Sequence, residues 1–172
     1  MLTVMKIDAK YADAINDQVS LEYTASLVYR QLAADMEAID LTGFAQWFWA
    51  QAEEEIEHAQ KFTQYLLDRD AHPVIQTIKL EGKTVDNPLD AFKAALAHEE
   101  LVSEAIRNLY RVADEVGDID SRPLLHWFLD EQIEEESTVS EIIGRLELLD
   151  GNGSGILDLD KQLGGRDVVA AE

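Results

Sequence analysis

The chain has 172 residues, 47% of them hydrophobic, which fits one globular domain over residues 1–172 with a core of adequate size. Its 35 acidic side chains against 14 basic ones give a formal net charge of −21, a field that repels phosphate backbones and excludes nucleic acid as a partner. Cysteine is absent, which excludes disulfides, thiolate zinc sites and iron–sulfur clusters; with no apolar run near the ~20 residues of a membrane span and no signal-peptide pattern, the expected location is the cytoplasm.

The first predicted helix covers residues 8–37, where Ile15, Val19, Glu22, Ser26 and Tyr29 recur at helical spacing. After a break at Leu41-Thr42-Gly43, the second covers 44–70 and His72-Pro73 ends it. Residues 71–87 are rich in β-branched side chains and contain Gly82 and Asn87-Pro88, so they read as an extended connection. The third helix covers 89–116 and stops at Gly117-Asp118. The fourth covers 122–149, with Ser121 as its N-cap and Pro123 in its first turn. A short fifth helix is predicted over 156–163, and the last seven residues read as loose. Between the two, Asp150-x-Asn152-x-Ser154-Gly155 has the opening of an EF-hand loop, but its twelfth position is Lys161 where a bidentate glutamate is needed. It reads instead as a glycine-rich helix stop.

An all-α fold follows. Four helices of about 27 residues are each about 40 Å long. Their connections are short, long, short, and the long crossover between helices 2 and 3 can run the length of a four-helix bundle and leave those two helices parallel.

Polar residues interrupt every core stripe. Glu22 lies between Ile15 and Tyr29, Glu55 between Phe48 and Phe62 with His58 one turn on, and Glu99 between Phe92 and Ile106. On the fourth helix Leu125, Phe128, Gln132, Glu135, Val139 and Ile142 follow the rhythm of a buried seam. All these intrusions fall near mid-helix, and several carboxylates buried together require a cation. An oxygen-rich donor set with one imidazole and no sulfur suits iron or manganese, and Glu55-x-x-His58 has the spacing of di-iron carboxylate bundles. His72, His98 and His126 fall beside the stripes and are expected at the surface.

The chain resembles the bacterial non-haem ferritins. The resemblance is carried by Asn16 to Tyr29, by Ala52-Glu-Glu-Glu55-Ile-Glu-His58-Ala, by His98-Glu99-Glu-Leu, and by Trp127-Phe-Leu-Asp-Glu131-Gln132-Ile-Glu-Glu135-Glu. It implies a ferritin-like fold and a ferroxidase centre inside each bundle. Glu22, Glu55 and His58 would hold a first iron, with Glu55 bridging to a second held by Glu99 and Glu135. A third site would use Glu54, Glu131, Glu134 and Glu135. Gln132 would line the centre, Tyr29 would lie close to the first iron as an electron donor, and Trp127 would be a nearby supporting aromatic. Bacterioferritins place a haem-ligating methionine directly after the bridging glutamate; Ile56 stands there, which implies no haem.

The resemblance further implies oxidation of Fe(II) by dioxygen or peroxide, storage of ferric mineral, and a homo-oligomeric 24-mer shell. Asp118 and Asp120 are candidates for a pore, the short tail helix for a four-fold axis, and Trp47 and Trp49 for packing between subunits. Two other readings stay open: a bundle that binds divalent cations without redox turnover, and a di-iron or di-manganese oxidase of a small molecule.

Overall fold

The computed structural model describes residues 6–165, so the expected loose tail lies outside the described residues. Its helices are α1 (Ala9–Glu37), α2 (Thr42–Asp68), α3 (Pro88–Val116), α4 (Arg122–Leu149) and α5 (Gly153–Gly164). No strand occurs among the described residues, and no helix there is long and apolar enough to cross a membrane.

Local chemistry sets most of the boundaries. The Asp8 carboxylate accepts the Lys10 N–H at 2.8 Å and starts α1, and Asn87 accepts the Asp90 N–H at 2.9 Å and starts α3 at Pro88. Ser121 does not cap α4 with its side chain. It stands in the turn before α4 with right-handed helical backbone angles, and its hydroxyl donates back to the Asp118 carbonyl at 3.1 Å. The glycine-rich run is not only a stop: Asn152 accepts the Gly155 N–H at 2.9 Å and caps α5, which therefore begins three residues before its predicted start. Likewise α2 begins at Thr42, with Gly43 inside its first turn.

The long crossover is irregular, as predicted, and is pinned to α1 along its length. The Val74 N–H donates to Asn16 Oδ1 at 2.7 Å, the Gln76 N–H to Ser20 Oγ at 2.9 Å, and the Val85 N–H to Asp35 Oδ2 at 3.0 Å. The chain thus climbs α1 from its early turns to its last, and α3 starts beside the start of α2. There Phe92 packs on Phe44 and Phe48, with ring centroids 5.7 and 4.6 Å apart. Helices α2 and α3 are consequently parallel.

The predicted stripes are buried and form two apolar masses. One holds Tyr29, Phe44, Trp47, Phe48, Phe92 and Val139; the other holds Tyr11, Ile15, Phe62, Ile106 and Phe128. Each fully buried aliphatic or aromatic side chain contributes roughly 1.5–3 kcal/mol relative to exposure. Trp47, expected between subunits, belongs to this core at 2% exposure, whereas Trp49 is partly exposed beneath the Arg30 guanidinium. Asp118, expected at a pore, is also used within the chain: its carboxylate pairs with Arg69 at 2.8 Å, accepts the Ser121 N–H at 3.0 Å, and is 6% exposed. Burial alone would raise its pKa, but the Arg69 guanidinium holds it below the ordinary aspartate range. Asp120 is exposed.

Candidate metal centre

Between the two apolar masses lies a polar layer supplied by all four long helices. Glu22 comes from α1, Glu55 and His58 from α2, Glu99 from α3, and Gln132 and Glu135 from α4, each at 6% exposure or less. Their heptad neighbours drive this burial: an apolar residue on either side along the same stripe takes the carboxylate inside with it.

Glu22, Glu55 and His58 each turn one ligand atom into a common space, all within 4.8 Å of one another. Gln18 Nε2 donates to Glu22 Oε1 at 2.7 Å, and His58 Nδ1 lies 3.3 Å from Glu55 Oε2. Glu22 Oε2 and Glu55 Oε1 are buried without a hydrogen-bond partner. Two such carboxylate oxygens beside an imidazole suit a cation. Burial pushes the Glu22 pKa well above the carboxylate range, and the Glu55 charge adds to this. Burial does the same to Glu55, with Glu99 and Glu135 adding to it.

Beyond Glu55 the layer is hydrogen-bonded rather than orphaned. The Tyr29 hydroxyl donates to Glu99 Oε1, Gln132 Nε2 donates to Glu99 Oε2 at 3.0 Å, and Gln51 Nε2 donates to Glu135 Oε2 at 2.9 Å. Burial raises the Glu99 pKa although both of its donors oppose the shift, and burial followed by the Glu99 charge raises that of Tyr29.

His58 belongs to a second group as well. Glu54, His58 and Glu131 bring ligand atoms within 4.8 Å of one another, in a second and less buried group. Of the carboxylates expected at a third site, these two come together. Glu134 lies exposed on the surface, and Glu135 is turned to Gln51. The Tyr29 hydroxyl meets Glu99, and the rings packed on Tyr29 are Phe48 and Trp47, at 6.1 and 6.4 Å. Trp127 packs edge-on against His58 at 5.6 Å, with Lys61 Nζ 4.6 Å above its own ring.

His72 and His126 are exposed, but His98 is half-buried with an unpartnered Nε2, and burial lowers its pKa. The sequence reading passed over Gln18, Gln51 and Ser103. Gln18 stands one helical turn from Glu22, which it serves directly, and Ser103 one turn from Glu99, which it reaches through Gln132, so the signal for these two was a polar residue four places away on the same stripe; Gln51 serves Glu135 on another helix, which no single stripe reveals.

The family model for the ferritin-like domain matches residues 12–149. The bacterial non-heme ferritin of Staphylococcus aureus is 34% identical over 154 residues, covering 90% of this chain and 93% of its own. Ferritin BfrB of Mycolicibacterium smegmatis is 36% identical over 154 residues, covering 90% of this chain and 83% of its own. Among solved structures, an open-pore ferritin from the hyperthermophilic archaeon Archaeoglobus fulgidus superposes with a TM-score of 0.91 at 30% identity, covering 94% of this chain and 98% of the other.

Proposed function

The chain belongs to the ferritin family, and from that premise we propose that it oxidises Fe(II) with dioxygen or peroxide and stores the ferric product inside a shell of its own copies, in the cytoplasm. The observation that carries this reading is the orphaned oxygen pair, Glu22 Oε2 and Glu55 Oε1, beside His58.

Iron is here the substrate. Glu22, Glu55 and His58 bind the first Fe(II); Glu55 also reaches the second, held with Glu99 and Glu135. Anionic oxygen donors favour the harder Fe(III), so the layer makes oxidation of bound iron easier than oxidation of hydrated Fe(II). Two irons side by side deliver one electron each. Dioxygen takes both with two protons and leaves as hydrogen peroxide. Glu22, Glu55 and Glu99, whose proton affinity burial raises, release the protons they hold as cations enter. Where a third Fe(II) and Tyr29 each add one electron, dioxygen takes four electrons and four protons and leaves as two waters; the Tyr29 proton goes to Glu99, to which its hydroxyl donates. Glu54 and Glu131, grouped with His58, form a third binding position, with Glu134 on the approach to it.

The test is aerobic Fe(II) addition to metal-free protein, followed by oxygen consumption and ferric absorbance. Wild type is expected to oxidise Fe(II) well above the buffer rate and to sediment as a large shell. E55A and H58A are expected to fall to the buffer rate. Oxidation no faster than in buffer would favour passive cation binding, and a dimer with an open pocket would favour a small-molecule oxidase.

A further inference from the structure

We infer that Ser103 and Glu136 are positioning residues for the carboxylate layer: together they hold the Gln132 amide with its nitrogen, and not its oxygen, towards Glu99. This rests on the metal-centre reading above.

Gln132 Nε2 lies 3.0 Å from Glu99 Oε2, 3.2 Å from Ser103 Oγ and 3.4 Å from the Glu99 carbonyl oxygen. Ser103 is 2% exposed and sits one turn after Glu99 on α3. A hydroxyl has a single proton, and an ionised carboxylate only accepts. Ser103 gives its proton to Glu136 Oε1 on α4. Its oxygen can then face Gln132 only as an acceptor, so the amide group opposite it must be the NH2. A turned amide would set its oxygen against the Ser103 oxygen and the Glu99 carbonyl oxygen with no proton between them.

The choice matters because an amide oxygen is a metal ligand and an amide NH2 is not. Once a cation takes up the Glu99 charge, Glu99 holds the amide less firmly, and the Gln132 oxygen would be drawn towards the metal. The Ser103–Glu136 pair opposes that turn, because its proton is committed outside the cation layer. Gln132 therefore keeps donating to Glu99 Oε2 while Tyr29 donates to Oε1. With one donor on each oxygen the carboxylate plane is fixed, and the remaining lone pairs face the cation. Glu136, next to Glu135 and half-buried, acts here as an anchor and not as a ligand.

The experiment is anaerobic Co(II) titration of the assembled, metal-free protein, read by calorimetry and visible absorption. Wild type is expected to show two saturable steps per chain. S103A and E136Q are expected to weaken the second step about tenfold, and to leave the first within about twofold. E136Q is informative because a glutamine can donate to Ser103, which frees the Ser103 proton for the Gln132 oxygen. S103T, which keeps the hydroxyl, is expected to restore the second step. In a Q132A background S103A should add nothing. Two steps in wild type with an unchanged second step in S103A and E136Q would overturn this inference alone. An equal S103A effect with and without Gln132 would also overturn it. Absence of two saturable steps in wild type would remove the metal centre and the inference together. Should S103A fail to assemble, E136Q at its half-buried position decides.

Discussion

Asp160 of α5 accepts the backbone N–H of Phe44, 116 residues away in sequence, at 2.7 Å. Helix α2 has no side-chain cap of its own, because Leu41 stands at its N-cap position, and its first turn has no acidic residue. The cap and the negative charge that the start of a helix favours both arrive from the tail. The approach is close enough that a Cβ at Gly43 would stand 1.8 Å from the Asp160 carbonyl oxygen, and one at Gly164 would stand 2.7 Å from Gly43 Cα. D160A is therefore expected to lower stability by about 1 kcal/mol, with a smaller loss for D160N, which keeps an acceptor. G43A is expected to detach α5, seen as faster hydrogen exchange across Gly153–Gly164 with α3 and α4 unchanged. Full α5 protection in G43A would contradict this docking.

That relationship also marks where the fold stopped being legible. The long helices and the crossover are written in one-dimensional periodicity, because each buried stripe repeats along its own helix. The start of α2 is not. Its cap lies on another helix, and Gly43 reads as a helix breaker until α5 is seen to need the space. Nor could the fifth helix be bounded from its composition, since Gly153 and Gly155 look like loop residues, while the Asn152 side chain opens a helix there.

The pair formed by Arg69 and Asp118 ties the end of α2 to the turn between α3 and α4, with side chains 13% and 6% exposed. D118A leaves the guanidinium without its main acceptor and removes the one for the Ser121 N–H. The expected loss is about 2–3 kcal/mol, below that of a fully buried pair because Arg69 retains some solvent. The sign with pH follows from the depressed pKa. The contribution is present above the ordinary aspartate value and is lost as pH falls through the depressed one. Chemical unfolding of wild type and D118A should therefore differ at neutral pH and converge in strong acid. A difference that persists there would assign the effect to packing.

Tyr29→Phe removes the donor to Glu99 Oε1 and keeps the ring against Phe48 and Trp47. Loss of one hydrogen bond is expected to lower stability by about 1 kcal/mol, with the first cation step kept and the second weakened, because Glu99 retains only its Gln132 donor. If Tyr29 supplies an electron, Y29F should abolish any transient tyrosyl signal during Fe(II) oxidation and raise the hydrogen peroxide released per dioxygen consumed. Freeze-quench electron paramagnetic resonance and peroxide trapping read these two quantities. Unchanged values would dismiss the role. W127F is expected to leave the signal intact. The Lys61 ammonium over the Trp127 ring opposes removal of an electron, and that ring packs on His58 rather than on Tyr29.

The centre itself was readable to different depths. Glu22, Glu55, His58, Glu99, Gln132 and Glu135 could be named because a polar or charged group inside an apolar stripe has nowhere else to go, and all are buried. Glu134 could not be separated from Glu131, since both stand in one acidic run and only the direction of each side chain divides them. Direction around a helix is resolved by neighbours, as when Gln51 turns Glu135 and Glu99 turns Gln132. Those partners lie on other helices, out of reach of any single periodicity.

The metal-free layer should also make stability fall as pH rises. Burial raises the pKa values of Glu22, Glu55 and Glu99 above the ordinary carboxylate value of 4.5, with neighbouring carboxylates adding to the shift for Glu22 and Glu55. The folded chain then binds more protons than the unfolded one above that value. Stability depends on pH as the unfolded minus the folded proton count, which is negative here. The contribution is fully present below the unfolded carboxylate pKa and is lost as pH rises through the raised folded values. Metal-free wild type is therefore expected to melt at progressively lower temperature from about pH 5 to pH 8 at fixed protein and salt concentration. A redox-inert cation such as Zn(II) should reverse the trend, with its stabilisation growing with pH, because fewer protons must be displaced. E22Q/E55Q is expected to flatten the metal-free slope and to lose most of the Zn(II) effect. A slope unchanged in that double variant would locate the titrating groups elsewhere. Zn(II) stabilisation independent of pH would mean that the layer is already ionised before the cation arrives.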